Sequence, residues 1–450
     1  MNLDDTIVAI ATPPGRGGIG VVRLAGPQSK AIAQTLLRLP APGALQARHA
    51  TFAELVERES GERVDEVVAT FFAAPHSYTT DDIVEISCHG SPIVLRRVVE
   101  MSLAAGARMA EPGEFTQRAF LNGRLDLTQA EAVRDLIDSQ TEYQAKVAAR
   151  QLKGELSRVV LPIKESLVAL IARLEAGIDF AEDDVSVMPS AQILAAMQEV
   201  SARLRKLEAS FAFGKLVHDG LTLAIVGRPN VGKSSLFNQL VERERAIVTP
   251  LPGTTRDLVT ETVALGGIPV RLVDTAGIRE ALDEAESIGI RKSMEALADA
   301  DLVLVVIDGS AEISGADSEL FSDVAERAAI VVGNKADLGA KKFEVRLPFV
   351  RTSAATGEGI ANLREEILRM MRGSATEDGG ALLTNLRQQQ QVRTAMSSLE
   401  LAATAVGAGI PHEMVLLDLY SALRALDELT GATTADDILN LIFSTFCIGK

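Results

Sequence analysis

Cysteine is nearly absent from the 450 residues: Cys88 and Cys447, far apart in the chain, are the full complement. Two such thiols cannot build a disulfide framework, so a reducing, cytoplasmic setting is expected. Long apolar runs are also missing. The longest, such as LVLVVI from Leu302, are strand-sized and far short of the roughly 20 residues that a membrane helix needs. The opening MNLDD is acidic where a secretory leader is basic, and the closing CIGK lacks the residues and the upstream basic run of a prenylation signal. No membrane attachment is expected from either. Basic residues are outnumbered, 45 Lys and Arg against 61 Asp and Glu, for a formal charge of −16. That excludes a surface coated in cations for indiscriminate nucleic-acid binding, so any RNA contact must be local.

What is present is enough for several folded domains: 450 residues, of which 47% are hydrophobic. From Thr6 to about Ala119, short β-rich runs (TIVAIAT, GIGVVRLAG, VDEVVATFFA, DIVEISCHG) alternate with helical text such as SPIVLRRVVEMSLAAG, an α+β pattern. From about Leu127 to Val217 the periodicity is almost purely helical. Between about Leu221 and Met371, buried-strand runs (LTLAIVG, IPVRLVD, DLVLVVID, AAIVVGNK, FVRTSA) alternate with helices, which predicts a doubly wound, mostly parallel sheet. The turn-rich RGSATEDGG then leads back into helical text. The expected fold class is multidomain α/β. It comprises an N-terminal α+β domain over 1–119, a discontinuous helical bundle over 120–217 and 375–450, and a doubly wound α/β domain inserted at 218–374. No internal repeat is visible.

GRGGIG, Gly15 to Gly20, matches the dinucleotide pattern G-x-G-x-x-G letter for letter. That mechanism needs a helix after the glycines, whose N–H groups meet a pyrophosphate. Here the strand-like VVRLAG follows, so a hairpin turn is expected, and neither FAD nor NAD is assigned to this chain.

GRPNVGKSS, from Gly227, follows an apolar strand and opens a helix, the context that a phosphate-binding loop requires. Asn230, Val231, Gly232, Lys233, Ser234 and Ser235 are its candidate nucleotide contacts: backbone N–H groups wrap phosphates, Lys233 approaches the β and γ oxygens, and Ser234 can ligate magnesium. A plain glycine turn would account for the glycines but not for Lys233 beside Ser234. DTAG (Asp274, Thr275, Ala276, Gly277) ends a later strand, where the aspartate can hold magnesium through water and the Gly277 N–H can meet the γ-phosphate. NKAD (Asn334, Lys335, Ala336, Asp337) ends another, and the Asp337 carboxylate can accept from both N1–H and the 2-amino group of guanine. Adenine offers neither donor, and a polar site left unpaired rejects an analogue by roughly 10⁴-fold or more. With Ser353, Ala354 and Ala355 after Thr352, these motifs select GTP over ATP. The loop TPLPGTTRD supplies Thr249, Pro250, Leu251, Pro252, Gly253, Thr254 and Thr255, the last placed to ligate magnesium and sense the γ-phosphate.

These GTPase motifs in a helical frame, together with DTIVAIATPPGRGGIGVVRL near the start, EPGEFTQRAFLNGRLDLTQAEAVRDLI from Glu111 and the ending FCIGK, make the whole chain resemble the TrmE (MnmE) family of tRNA modification GTPases, among the TrmE-Era-EngA-like P-loop GTPases. The resemblance implies a folate-binding, dimerising N-terminal domain and a Ras-like G domain inserted into the helical one. It implies a homodimer that joins an FAD-binding partner, MnmG or GidA, in a heterotetramer or larger complex acting on tRNA. The FAD belongs to the partner. The implied reaction adds a carboxymethylaminomethyl or aminomethyl group to C5 of the wobble uridine of certain tRNAs, with the carbon drawn from a 5-formyl- or 5,10-methylene-tetrahydrofolate. By position, Arg23, Glu85, Arg124 and Lys450 become the folate candidates, with Arg124 standing where the family has lysine, and Cys447 becomes a functional candidate. Without the resemblance, the four charged residues read as surface and both cysteines as core. A ribosome-assembly or RNA-chaperone GTPase is the alternative, and the single P-loop and acidic helical C-terminus count against it.

The residue after Gly277 is Ile278, so the glutamine that positions water in many such enzymes is missing. The resemblance implies potassium held by Asn230 and by carbonyls around Thr249, Leu251 and Thr254. A cation there can replace an arginine finger, a device worth roughly 10³ to 10⁵ in rate. Pro250 and Pro252 depart from the family's usual aspartate and alanine. For water positioning, Glu280, Asp283, Glu284 and Glu286 all follow. Each alone reads as a solvated helix start, and the family pattern selects Glu286.

Overall fold

The strands of the first hundred residues alternate buried and exposed positions, as a sheet with differently covered faces requires. In the computed structural model, which describes residues 3–41, 45–179, 188–243, 259–274, 300–339, 341, 345–372, 380–433, 439 and 442–449, they are β1 (Ile7–Ile10), β2 (Ile19–Ala25), β3 (Leu37–Arg38), β4 (Ala50–Val56), β5 (Arg63–Phe72), β6 (Ile83–His89) and β7 (Arg108–Met109). They form one sheet in the order β3-β4-β5-β6-β2-β1-β7, antiparallel except where β1 meets β7. Helices Ser29–Leu36 and Pro92–Ala104 cover one face, burying Val8, Val22, Leu24, Ile86, Leu95 and Val98. On the other face Ile7, Ala9 and Ile83 pack with Phe115 of helix Glu114–Leu121. Gly15, Gly17 and Gly18 of GRGGIG lie in the connection between antiparallel β1 and β2 and Gly20 lies within β2, with Ile10 opposite Val22, so the hairpin reading holds and no helix N-terminus is there for a pyrophosphate.

These elements belong to the first of two compact units: Met1–Arg134 with Gln151–Ser157 and Leu426–Lys450. Within it Arg118, fully buried, donates to Asp5 and Glu114, and Arg108 binds the same two carboxylates. Burial pushes the Glu114 carboxyl up, but Arg108, the Glu111 N–H and Arg118 outweigh it and hold it below the usual range. The end of the chain returns to this unit. Phe443 and Phe446 pack with Phe120 and Leu127, and Ile448 makes a bridge to Pro112.

The second unit is Asp135–Arg150 with Arg158–Ala425. Its sheet contains β8 (Leu221–Val226), β9 (Val259–Leu265), β10 (Ile268–Asp274), β11 (Leu302–Asp308), β12 (Ala329–Asn334) and β13 (Phe349–Arg351), in the order β13-β12-β11-β8-β10-β9. All neighbours are parallel except β9 and β10. β8, β11 and β12 are buried almost throughout, which is why they read as continuous apolar runs. β9 escaped the sequence reading because VTETVAL alternates as an edge strand does. Gly266 and Gly267, both at positive φ (56° and 84°), join it to β10 in the two-residue turn that such a glycine pair favours.

Helices on both sides of this sheet in the sequence pack together. Leu386–Gly407 lies along Ser190–Ala209, with Gln389 and Arg393 both donating to Glu208. Gly214, in helix Phe211–Asp219, leaves space for the Leu383 carbonyl, which a Cβ there would meet at 2.0 Å. The helical bundle is therefore discontinuous in sequence, with the α/β domain inserted. The two share a core: Tyr143, Val147, Phe213 and Val217 from the helical side pack into the cluster of Leu221, Leu265 and Ile268. Thr141 Oγ1 donates to the Gly267 carbonyl at the β9–β10 turn, 2.5 Å away. His218 is held between Asp135 (3.0 Å) and Asp219 (2.7 Å).

Candidate functional site

The phosphate-binding loop leaves the end of β8 and enters helix Lys233–Arg243, so the helix N-terminus with its unpaired N–H groups faces the loop. Asn230 takes the left-handed conformation at φ 64° and is exposed. Gly232 (φ 95°) has no tolerance for a side chain, because a Cβ would lie 2.2 Å from Asn334 Nδ2. Lys233 is 8% exposed and its ammonium donates to the carbonyls of Gly227 and Arg228, each at 2.9 Å. Ser234 and Ser235 open the helix on its exposed side.

Asn334, the last residue of β12, is 2% exposed and ties three segments together. Its Nδ2 donates to the Val231 carbonyl (2.9 Å), and its Oδ1 accepts from the Ala354 N–H (2.9 Å) and the Thr352 hydroxyl (3.4 Å). The chain then turns through Lys335, at φ 64°, whose ammonium pairs with Asp308 at 2.8 Å. Burial raises the Asp308 carboxyl, but Lys335 and Ser310 more than offset that and lower it. Asp337 is exposed, and one of its oxygens accepts from the Ser353 hydroxyl at 2.5 Å, which orients the carboxylate. Ala336 lies beside it in a short 3-10 turn, and Ala355 is exposed at the start of the next loop. The arrangement presents a phosphate cradle at one end and an oriented carboxylate at the other, joined through Asn334. The sequence marked Asn334 as a nucleotide contact. What it could not show is that both ends of the amide are committed to the protein backbone.

Asp274 closes β10, parallel to β8. Thr249, Pro250, Leu251, Pro252, Gly253, Thr254, Thr255, Thr275, Ala276, Gly277, Glu286 and Lys450 lie outside the described residues.

Of the folate candidates, Arg23 and Glu85 face each other across β2 and β6, and the guanidinium meets Glu85 Oε1 at 2.9 Å (Nε) and 2.7 Å (Nη2). Arg23 lies 5.6 Å from the Phe115 ring and 5.7 Å from that of Tyr78. Arg124 stacks on the same Tyr78 at 4.9 Å and donates to its carbonyl at 2.6 Å. Two arginines from distant parts of the sequence, Arg23 and Arg124, thus converge on Tyr78, which sequence reasoning missed because SYTTDD carries no chemical signature by itself. Burial pushes the Tyr78 phenol up, against the pull of Thr116 and the two arginines, so it stays a neutral donor or acceptor. Beside it opens a cavity of about 620 Å³, lined by Phe72, Pro75, His76, Ser77, Tyr78, Thr80, Asn122, Gly123 and Arg124. Phe72, Pro75 and the Tyr78 ring give it apolar surface, and Arg124 and Asn122 give it a cation and an amide. Cys447 is exposed, whereas Cys88 is buried and its thiol is pushed up to about 12 by burial and by the Asp65 carboxylate, which makes it inert. Among the described residues, no helix is long and apolar enough to cross a membrane.

Comparison with known proteins places this geometry in context. The family model described as "MnmE helical domain" matches residues 127–447, and that described as "GTP-binding protein TrmE N-terminus" matches residues 6–124. The chain is 68% identical over 454 residues to the tRNA modification GTPase MnmE of Koribacter versatilis (strain Ellin345), covering 100% of both chains. It is 45% identical over 451 residues to the protein of that name in Aquifex aeolicus (strain VF5), covering 99% of this chain and 100% of the relative.

Proposed function

The chain belongs to the MnmE family of tRNA modification GTPases, and from that premise we propose how its parts divide the work. It is a GTP hydrolase that acts in tRNA modification. With an FAD-binding partner of the MnmG type, it installs a carboxymethylaminomethyl or aminomethyl group on C5 of the wobble uridine, using a one-carbon unit carried on tetrahydrofolate. The observation that carries the nucleotide half is Asn334, which couples the phosphate loop at Val231 to the segment that orients Asp337.

In this reading Lys233 keeps its two loop carbonyls and turns its remaining N–H toward the β and γ oxygens, and Asp337 accepts from the N1–H and 2-amino group of guanine. Magnesium on Ser234 and Thr255, and potassium on Asn230 with carbonyls of Thr249, Leu251 and Thr254, supply positive charge at the phosphates when bound. The exposed side chain of Asn230 on its left-handed backbone suits such an oxygen donor. Glu286 orients the attacking water. In the first unit Glu85 accepts from the pterin edge, Arg23 fixes Glu85, and Arg124 with Lys450 meets the carboxylates of the glutamate tail. Cys447, exposed near the end of the chain, is read as a functional thiol.

Two copies join through the outer face of the N-terminal sheet, where Phe52 (60% exposed) and Val68 (39%) stand opposite each other on β4 and β5. The complex works in the cytoplasm. Reconstitution tests the assignment: unmodified tRNA, the FAD-binding partner, GTP and a tetrahydrofolate donor should yield the C5 substituent only when this chain is present. Product formed equally well without GTP or without folate would overturn it.

A further inference from the structure

We propose that the Arg228–Asp317 ion pair is a positioning device for Lys233, which makes Asp317 part of the nucleotide site although it lies 89 positions beyond Arg228 in sequence. Arg228 is the second residue of the phosphate-binding loop, and Nε of its side chain donates to Asp317 Oδ1 at 2.7 Å. Asp317 is 1% exposed and sits in the first turn of helix Gly315–Asp323. Its other oxygen accepts from both the N–H (2.9 Å) and the hydroxyl (2.8 Å) of Ser314, in a capping box that fixes the carboxylate on a rigid element. Burial raises the carboxyl, but the Ser314 bonds and Arg228 outweigh it, so it is ionised.

The same Arg228 presents its backbone carbonyl to the Lys233 ammonium, alongside the carbonyl of Gly227. One residue thus joins a buried anion to the lysine that must meet the phosphates. Pro229 follows and constrains the backbone beyond. The rotation left to the Arg228 peptide is restrained from the side-chain end by Asp317. Without that restraint the carbonyl turns away and the ammonium loses one of the acceptors that hold it in the loop. A helix cap outside every GTPase motif then sets the angle at which Lys233 is offered. The alternative is a purely structural tie between loop and helix, which would act on nucleotide binding independently of Lys233.

The inference rests on the reading of this loop as the guanine nucleotide site. If the unaltered protein bound no guanine nucleotide, that reading would fail, not this one. The test is a thermodynamic cycle on the full-length chain, read as the dissociation constant for a fluorescent GDP analogue. Asp317→Asn, which keeps size and one acceptor, should weaken binding on the order of tenfold, the loss of one charge-assisted hydrogen bond. In a Lys233→Ala background the same substitution should change affinity less than about twofold, because the group it acts through is gone. Arg228→Lys, at a side chain 34% exposed, should reproduce the loss and its dependence on Lys233 even if Asp317→Asn folds poorly. An equal loss with and without Lys233, or no loss with Lys233 present, would overturn the proposal.

Discussion

Replacing Asn334 by alanine tests the join between the two ends of the nucleotide site. The substitution removes the Nδ2 donor from the Val231 carbonyl and the Oδ1 acceptor from the Ala354 N–H, both at 2.9 Å. Asn334 is 2% exposed, Val231 3% and Ala354 8%, so water cannot replace what is lost. Each buried polar group left unpaired costs about 1–3 kcal/mol, so the two together cost about 2–6 kcal/mol. The Thr352 hydroxyl, at 3.4 Å, adds little. That penalty divides between folding and binding. If even about 1.4 kcal/mol falls on binding, the affinity for GDP drops tenfold. Fluorescent-nucleotide titration measures the binding share, and denaturant unfolding of the same sample measures the rest. Asn334→Asp is the companion variant: it keeps an acceptor for Ala354 but turns a second oxygen toward the Val231 carbonyl, so it should be at least as damaging. An alanine variant with nucleotide affinity within twofold and stability within about 0.5 kcal/mol of the unaltered protein would refute the role given to Asn334.

The other expectations follow from single sites. Asp135, with Asp219, holds the His218 imidazolium against the opposing effect of burial and lifts it from 6.5 to about 9. Its contribution, about 3 kcal/mol at most, is complete below pH 6.5 and lost as pH rises through 9, and His218→Gln should flatten the stability profile across that window. Asp337→Asn replaces an acceptor for the two guanine donors with an amide that can donate to an oxygen at C2. Competition binding should therefore show loss of GTP affinity and a gain for the xanthine nucleotide, and unchanged GTP preference would contradict the base assignment. Glu286→Ala should lower GTP turnover by about 10² or more with little change in nucleotide affinity, the pattern of a group that acts on the attacking water. Replacing potassium by sodium should also slow turnover, and equal rates in the two salts would remove potassium from the site.

Sequence patterns exposed what repeats locally. The apolar runs of β8, β11 and β12 are continuous because both faces are covered, and GRPNVGKSS and NKAD carry their chemistry in a few adjacent letters. β9 was missed because an alternating edge strand has only a weak signature, although the Gly266–Gly267 pair marked its turn. The partners of the site were invisible for a different reason. Asp317 reads as an ordinary helix cap, Tyr78 as one residue of a polar turn, and nothing in the text states that Asn334 spends both ends of its amide on backbone groups. Those relations are set by how the strands bring distant loops to the same edge of a sheet, which no window of sequence contains. The shared core of Tyr143, Val147 and Phe213 with the inserted domain is illegible for the same reason.

The modification state of tRNA is the most direct readout of the function proposed for this chain. Nucleoside analysis by mass spectrometry should be run on tRNA from cells lacking this protein and from the same cells complemented with it or with its Lys233→Ala variant. The C5-substituted wobble uridine should vanish in the deletion, return with the unaltered chain and stay absent with the variant that cannot grip phosphate. Wobble uridine modified to the normal level without the protein would contradict the account.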